Sequence, residues 1–253
     1  MPAIIVKGSY QDKAIRFLPP NTTNLLYWGM YGKDVGFTTK NHKDGSTITA
    51  IGAPVYPNPN YAVFKGHTNY LKTSVIQVPN MTFICVFKID TEVAIDLISN
   101  YASPGQGGVP AGSVRGCGLE LQVGTPADGK MNVIVNGSVT IGGTDVNAPS
   151  TILQSYTAGT WCCLAGTVNS TTGDRTVYNL TAGTSQVQNN TNPISLGTAA
   201  LQIGSKVTQT TPPSLNDSNI AMSAIYSDVK TATELQAIYS QLKTYFAKRG
   251  IAI

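Results

Sequence analysis

The chain has 253 residues, 12% of them charged and 42% hydrophobic, against a usual charged share of about 25%. Thr, Asn, Ser and Gln fill the gap together with 25 Gly and 14 Pro, a balance that excludes a coiled coil, a helical repeat array or a charged disordered tail. The formal charge is only +4, and the Lys and Arg residues are scattered, so no stripe exists to track nucleic acid phosphates.

In chain order, Met1 to Tyr10 holds a short apolar patch, Ile4, Ile5 and Val6, broken by Lys7. It is too short for a signal sequence or a membrane span, so the expectation is a chain made in the cytoplasm without a secretory signal. Leu25 to Met30 (LLYWGM) is the most apolar patch of the first part, and Pro54, Pro57 and Pro59 close that part with an extended, turn-prone stretch. Leu25, Leu26 and Trp28 are costly to leave in water, at about 1.5–3 kcal/mol for a fully buried aliphatic side chain. They are expected in the core.

From residue 60 the character changes. Tyr61 to Lys65, Tyr70 to Val78 and Met81 to Ile89 read as strands bounded by Gly66, Pro79 and Asn80. Met81 to Ile89 is apolar on both alternating faces for most of its length, which predicts a central strand between two layers. Ser103 to Arg115, with four glycines and two prolines, predicts a long loop. Cys117 to Val123, Met131 to Val135 and Ser138 to Ile141 follow as strands, with Asn136-Gly137 expected to form the two-residue turn of a hairpin. Thr160 to Val168, Arg175 to Leu180, Ala200 to Ile203 and Ile220 to Tyr226 complete the series. This spacing predicts a sandwich.

One segment has a different period. From Thr231 to Arg249 the apolar positions Leu235, Ile238, Leu242, Tyr245 and Phe246 lie on one face of a helix. Thr231 and Glu234 form a capping box, and Gly250 suits the stop. The apolar stripe is expected to cover an edge or open face of the sandwich.

The run "YLKT" followed by "MTFICVFKI", then "MNVIVNG", "TWCCLAGTV", "LQIGS" and "NIAMSAIYSDVKTATELQAIYSQLKTYF" resembles the laminin G-like and concanavalin A-like jelly rolls. The resemblance spans roughly 60–246. It implies an all-β fold, a two-sheet antiparallel jelly-roll sandwich with one C-terminal amphipathic helix. The expected division is an N-terminal segment, 1–59, that wraps the sandwich or contributes strands to it, and a sandwich over 60–253 with its helix at 231–249. The closing "LKTYFAKRGIAI" and the Asn, Thr and Gly-rich composition are similar to tail and fibre-associated proteins of bacteriophages. That likeness implies a virion component, made in the host cytoplasm, whose partners are host surface polysaccharide or other virion proteins. It also implies a homo-oligomer, with a trimer favoured.

Jelly rolls of this class include glycan-degrading enzymes that use paired carboxylates. Of the three glutamates, Glu92, Glu120 and Glu234, Glu120 has no acidic residue two, four or five positions away, and Glu234 already serves the helix cap. A non-enzymatic binder is therefore expected, with a glycan hydrolase or lyase, or a purely structural virion protein, as the alternatives. No phosphate-binding loop or nucleophile elbow occurs, so no cofactor is expected. The clusters Asn41, His42, Asp44 and Asn216, Asp217, Asn219 read as solvated turns, so no metal is expected. Sugar binding asks for ring faces and amide or carboxyl groups. The candidate rings are Trp28, Tyr31, Tyr56 and Tyr101, and their alternative is the core or a subunit interface. Cys85, Cys117, Cys162 and Cys163 lack zinc spacing and are expected to be buried free thiols.

Overall fold

Alternating β-branched and aromatic residues with frequent turn signals give strands wherever both faces can be covered. The computed structural model describes residues 19–124, 129–147, 150–208 and 216–253, so the Met1 to Tyr10 patch lies outside the described residues. The elements run β1 (Leu25–Met30), α1 (Val35–Thr38), β2 (Thr49–Ile51), β3 (Val55–Asn58), β4 (Tyr61–Lys65), β5 (Tyr70–Ile76), β6 (Asn80–Lys88) and β7 (Ile95–Ser99). They continue as β8 (Cys117–Gln122), β9 (Met131–Ile141), β10 (Thr144–Asn147), β11 (Thr151–Tyr156), β12 (Cys162–Asn169) and β13 (Arg175–Asn179). The last are β14 (Thr184–Gln188), β15 (Ala200–Ile203), β16 (Asp217–Tyr226) and α2 (Ala232–Ala247).

Two antiparallel sheets result. The first runs β14-β13-β12-β6-β16-β4-β3, with β1 lying beside β16. The second runs β10-β9-β8-β7-β15-β5-β2, with β11 beside β9. Strand β6 is central as its sequence predicts. Met81, Phe83, Cys85 and Phe87 point into the core between the sheets, and Ile84 and Val86 point to the opposite face.

That opposite face is where α2 lies. Leu235, Ile238, Tyr239, Leu242 and Phe246 pack with Trp28, Met30, Ala224 and Tyr226 into a second apolar layer, so the helix covers the open face of the first sheet. The capping box is formed, with Glu234 N–H donating to Thr231 Oγ1 at 3.2 Å and Thr231 N–H to Glu234 Oε2 at 2.9 Å. At the other end Ile251 N–H reaches Phe246 O at 3.1 Å, with Gly250 left-handed at φ 74°, a Schellman-type stop.

Strand β1 pairs with β16. A register shift between Leu25 and Tyr27 puts both Leu26 and Tyr27 towards the inter-sheet core, while Leu25 and Trp28 face the helix. The N-terminal residues thus supply β1 and β3 to one sheet and β2 to the other.

One sequence expectation is corrected. Asn136-Gly137 is no turn: it lies inside β9, with Asn136 opposite Gly118 and Gly137 opposite Cys117. The hairpin turn is Gly142-Gly143, at φ 56° and 81°, and it connects β9 to β10. Gly-Gly meets the positive-φ demand of that turn equally well. At Gly137 the demand is space: a Cβ there would lie 3.2 Å from the Arg175 guanidinium.

Candidate functional site

On the outer face of the second sheet the alternation of β8 turns Glu120 away from Leu119 and Leu121, which fill the core. Its direct cross-strand neighbour on β7 is Asp96. The ladder between β7 and the chain after β15 continues past Ile203, with Gly204 N–H donating to Leu97 O at 3.0 Å. Gly204 takes φ 79°, and a Cβ on it would lie 2.7 Å from Phe64 Cβ. Only glycine lets the chain bend here and bring Lys206 over the two carboxyl groups. A second clamp holds the same loop, because Tyr101 O accepts from the N–H groups of Val207 at 3.1 Å and Thr208 at 3.2 Å.

These segments enclose a cleft of about 130 Å³ whose polar lining is His67, Asp96, Glu120, Gln122, Lys206 and Asn216. Lys206 Nζ stands 3.5 Å from Asp96 Oδ1. Gln122 Nε2 donates to Glu120 Oε1 at 2.8 Å. Ser205 Oγ is 3.1 Å from His67 Nδ1.

Burial first, then the negative charge of Asp96 within hydrogen-bonding reach, push the Glu120 carboxyl up to about 7 against the pull of Lys206. Burial lowers the Lys206 ammonium, but Asp96 and Glu120 outweigh it and its pKa ends raised. Burial holds His67 below its ordinary value despite Asp96, so its ring is neutral at neutral pH. The cleft therefore offers an ammonium and a part-protonated carboxyl as donors, with a carboxylate and an imidazole beside them. Such a set suits hydroxyl and amide groups.

The four rings expected to bind sugar are not brought together. Trp28 and Tyr31 are inside the protein, at 0% and 1% exposure, and neither shows a face to solvent. Trp28 lies between the first sheet and α2, while Tyr31 packs edge-on against Phe64 in the inter-sheet core. The burial of Trp28 and Tyr31 follows from pairing β1 with β16, a contact between the two ends of the chain. Tyr56 sits half-buried on β3, also in the first sheet, packed against the inter-sheet core. Tyr101 is not part of the cleft lining, but its backbone helps hold the loop that carries Lys206.

Sequence spacing missed the carboxyl pair because Asp96 reaches Glu120 across a strand ladder. The only local signal was an acidic residue alternating with leucines in "GLELQ". Among the described residues no three His, Cys, Asp or Glu side chains converge as a metal set. Asn41 Oδ1 is taken by Trp28 N–H and Lys43 N–H, each at 3.1 Å, and Asp44 Oδ1 by Ser46 N–H at 2.8 Å. All four cysteines are buried free thiols.

No protein-family model matches the chain, and no curated protein matches its sequence. Solved structures match its fold. A Trypanosoma rangeli sialidase, in complex with a difluoro-KDN, aligns at TM-score 0.59 and 12% identity, over 90% of this chain and 34% of that one. The botulinum neurotoxin type G receptor binding domain aligns at 0.57 and 10% identity, over 87% of this chain and 52% of that one. The receptor binding domain of a botulinum neurotoxin C/D mosaic serotype aligns at 0.55 and 13%, over 86% and 51%.

The chain has a concanavalin A-like jelly-roll fold. Identities this low show the fold alone. The concanavalin A-like sandwich spans 34% of the sialidase chain and about half of each neurotoxin chain. Among its described residues no helix is long and apolar enough to cross a membrane.

Proposed function

We propose that this sandwich is a non-enzymatic binding module that takes the hydroxyl-rich edge of a host surface glycan in the cleft on its second sheet. The observation that carries the reading is that Asp96, Glu120, Lys206 and His67, from four segments, line one partly enclosed cleft. The neurotoxin neighbours, named for receptor binding, favour the same class. At about 130 Å³ the cleft is smaller than the roughly 300–1,000 Å³ of drug-sized pockets, so it suits part of one sugar ring, with more of the chain lying across the sheet. The sequence likeness to phage tail and fibre-associated proteins supplies the setting: a virion component meeting bacterial polysaccharide.

A glycan-degrading reading is favoured by one observation, the carboxyl pair with Glu120 raised to about 7. Spacing argues against it. Carboxyl groups of retaining glycosidases stand about 5–5.5 Å apart and those of inverting ones about 6.5–9.5 Å, whereas Asp96 and Glu120 are within hydrogen-bonding reach of each other.

The test is incubation with host capsular or cell-wall polysaccharide while following retention, reducing ends and unsaturated products. Saturable retention without product, weakened by Lys206→Ala, is expected. Turnover that disappears in Glu120→Gln would replace the binder with an enzyme.

A further inference from the structure

Strand β14 ends the first sheet, and its free edge can be read from the ladder beside it. In the β12–β13 hairpin, Asn169 N–H donates to Asp174 O at 2.9 Å and Leu180 N–H to Cys163 O at 3.0 Å. Antiparallel ladders alternate, so the even positions of β13 bond to β12 and Arg175, Val177 and Asn179 face β14. Their partners are Gln188, Gln186 and Thr184. The backbone groups of Ser185 and Val187 therefore point out of the sheet. In agreement, Val187 O accepts only its neighbour's side chain, Gln186 Nε2 at 3.2 Å, among the described residues.

The strand also buries almost nothing. Thr184, Ser185, Gln186 and Val187 are all exposed, so side chains on both faces reach solvent, although β11 lies close to the strand without pairing with it. Three other edges are guarded. Pro57 interrupts β3, Asp145 of β10 is bound to Arg115 at 3.0 Å, and β11 is tied to β13 through Thr151 Oγ1 to Arg175 O at 2.8 Å. Strand β14 has no charge and no proline, it shows no such tie among the described residues, and the chain carries no charged residue from Thr176 to Ser205. Natural edges are normally protected by these devices.

We infer that β14 pairs antiparallel with β14 of a second copy of this chain, about a twofold axis at Gln186, so that the first sheets of both copies join. About that axis Ser185 faces Val187 of the other copy, and the outward groups of both become satisfied. A second copy is the fitting occupant because the uncharged run offers it no like-charge repulsion and its edge is complementary to itself. The strand is short and the buried area small, so association is weak, becoming visible at about 100 µM and above. It also opposes the expected trimer, since a self-complementary edge closes in pairs.

Gln186→Cys tests the axis, because residues facing each other there have Cα atoms about 4.5–5.5 Å apart, within disulfide range. The native cysteines are all buried, leaving the new thiol as the accessible one. Under mild oxidation Gln186→Cys is expected to give a covalent dimer at least about tenfold faster than Ser185→Cys, which lies off the axis. Adding Val187→Lys, which leaves the bonds to β13 intact, should slow cross-linking of Gln186→Cys by about tenfold or more through repulsion across the axis. Light scattering of the unmodified chain should show a concentration-dependent monomer–dimer equilibrium. A monomer throughout, a trimer, equal rates at both positions, or association indifferent to Val187→Lys would overturn the inference.

Discussion

Glu120 is 6% exposed and its carboxyl is raised to about 7, from an ordinary 4.5. Between those values the folded chain holds the proton more tightly than the unfolded chain, so stability falls as pH rises and the loss is complete above about 7. Glu120→Gln has no such titration. Its thermal midpoint relative to wild type should be level near pH 4 and reach a positive plateau above pH 7, worth up to about 3 kcal/mol. A flat difference across that range would contradict the placement of Glu120. Arg175 is a second buried charge, with 0% exposure and no hydrogen bond from Nε or either terminal nitrogen among the described residues. Burial lowers its pKa, partly opposed by Cys117. Removing the uncompensated charge while keeping the volume should help, so Arg175→Met is expected to raise stability by about 1–4 kcal/mol in urea unfolding. A large destabilisation would mean that the guanidinium has an unseen partner. Neither residue announces itself in sequence, because Glu120 and Arg175 are lone charges within strands whose neighbours come from distant segments.

At the level of elements, legibility followed range. Helix α2 could be read to within a residue or two because its signals, the Thr231–Glu234 box, the apolar period and Gly250, lie within the segment. Thr231→Ala should cost about 1 kcal/mol. Leu242→Ala, at the centre of the layer between α2 and the first sheet, should cost about 2–5 kcal/mol. Equal losses from both in thermal melts would contradict the view that packing outweighs capping here. The Asn136-Gly137 hairpin was misplaced because two turn signals lie close together and the local pattern cannot rank them. Gly142-Gly143 forms the turn, and Gly137 instead makes room for Arg175. Strands β2, β3, β7, β10, β11 and β14 were missed because each is short or strongly polar, so its local apolar pattern is weak.

For the whole molecule, the two-sheet sandwich was legible from strand spacing and from the doubly apolar β6. The candidate site was not. Rings chosen for their clustering near the N-terminus fold inward, because β16 returns from the far end of the chain to pair with β1 and carries Trp28 under α2. The cleft comes from strands and loops that sequence distance keeps apart: β7, β8, the start of the loop after β15, and His67. Its polar side chains are held by neighbouring strands and by the Tyr101 clamp, so the site is largely built before any ligand arrives. The most direct measurement is an NMR titration of the isotope-labelled chain with oligosaccharides released from host capsular polysaccharide, reading backbone amides residue by residue. Saturable shifts centred on Asp96, Glu120, Gln122 and Lys206, and lost in Lys206→Ala, are the predicted result. Shifts centred on the first sheet or α2, or none at millimolar sugar, would contradict the assignment of this cleft as the glycan site.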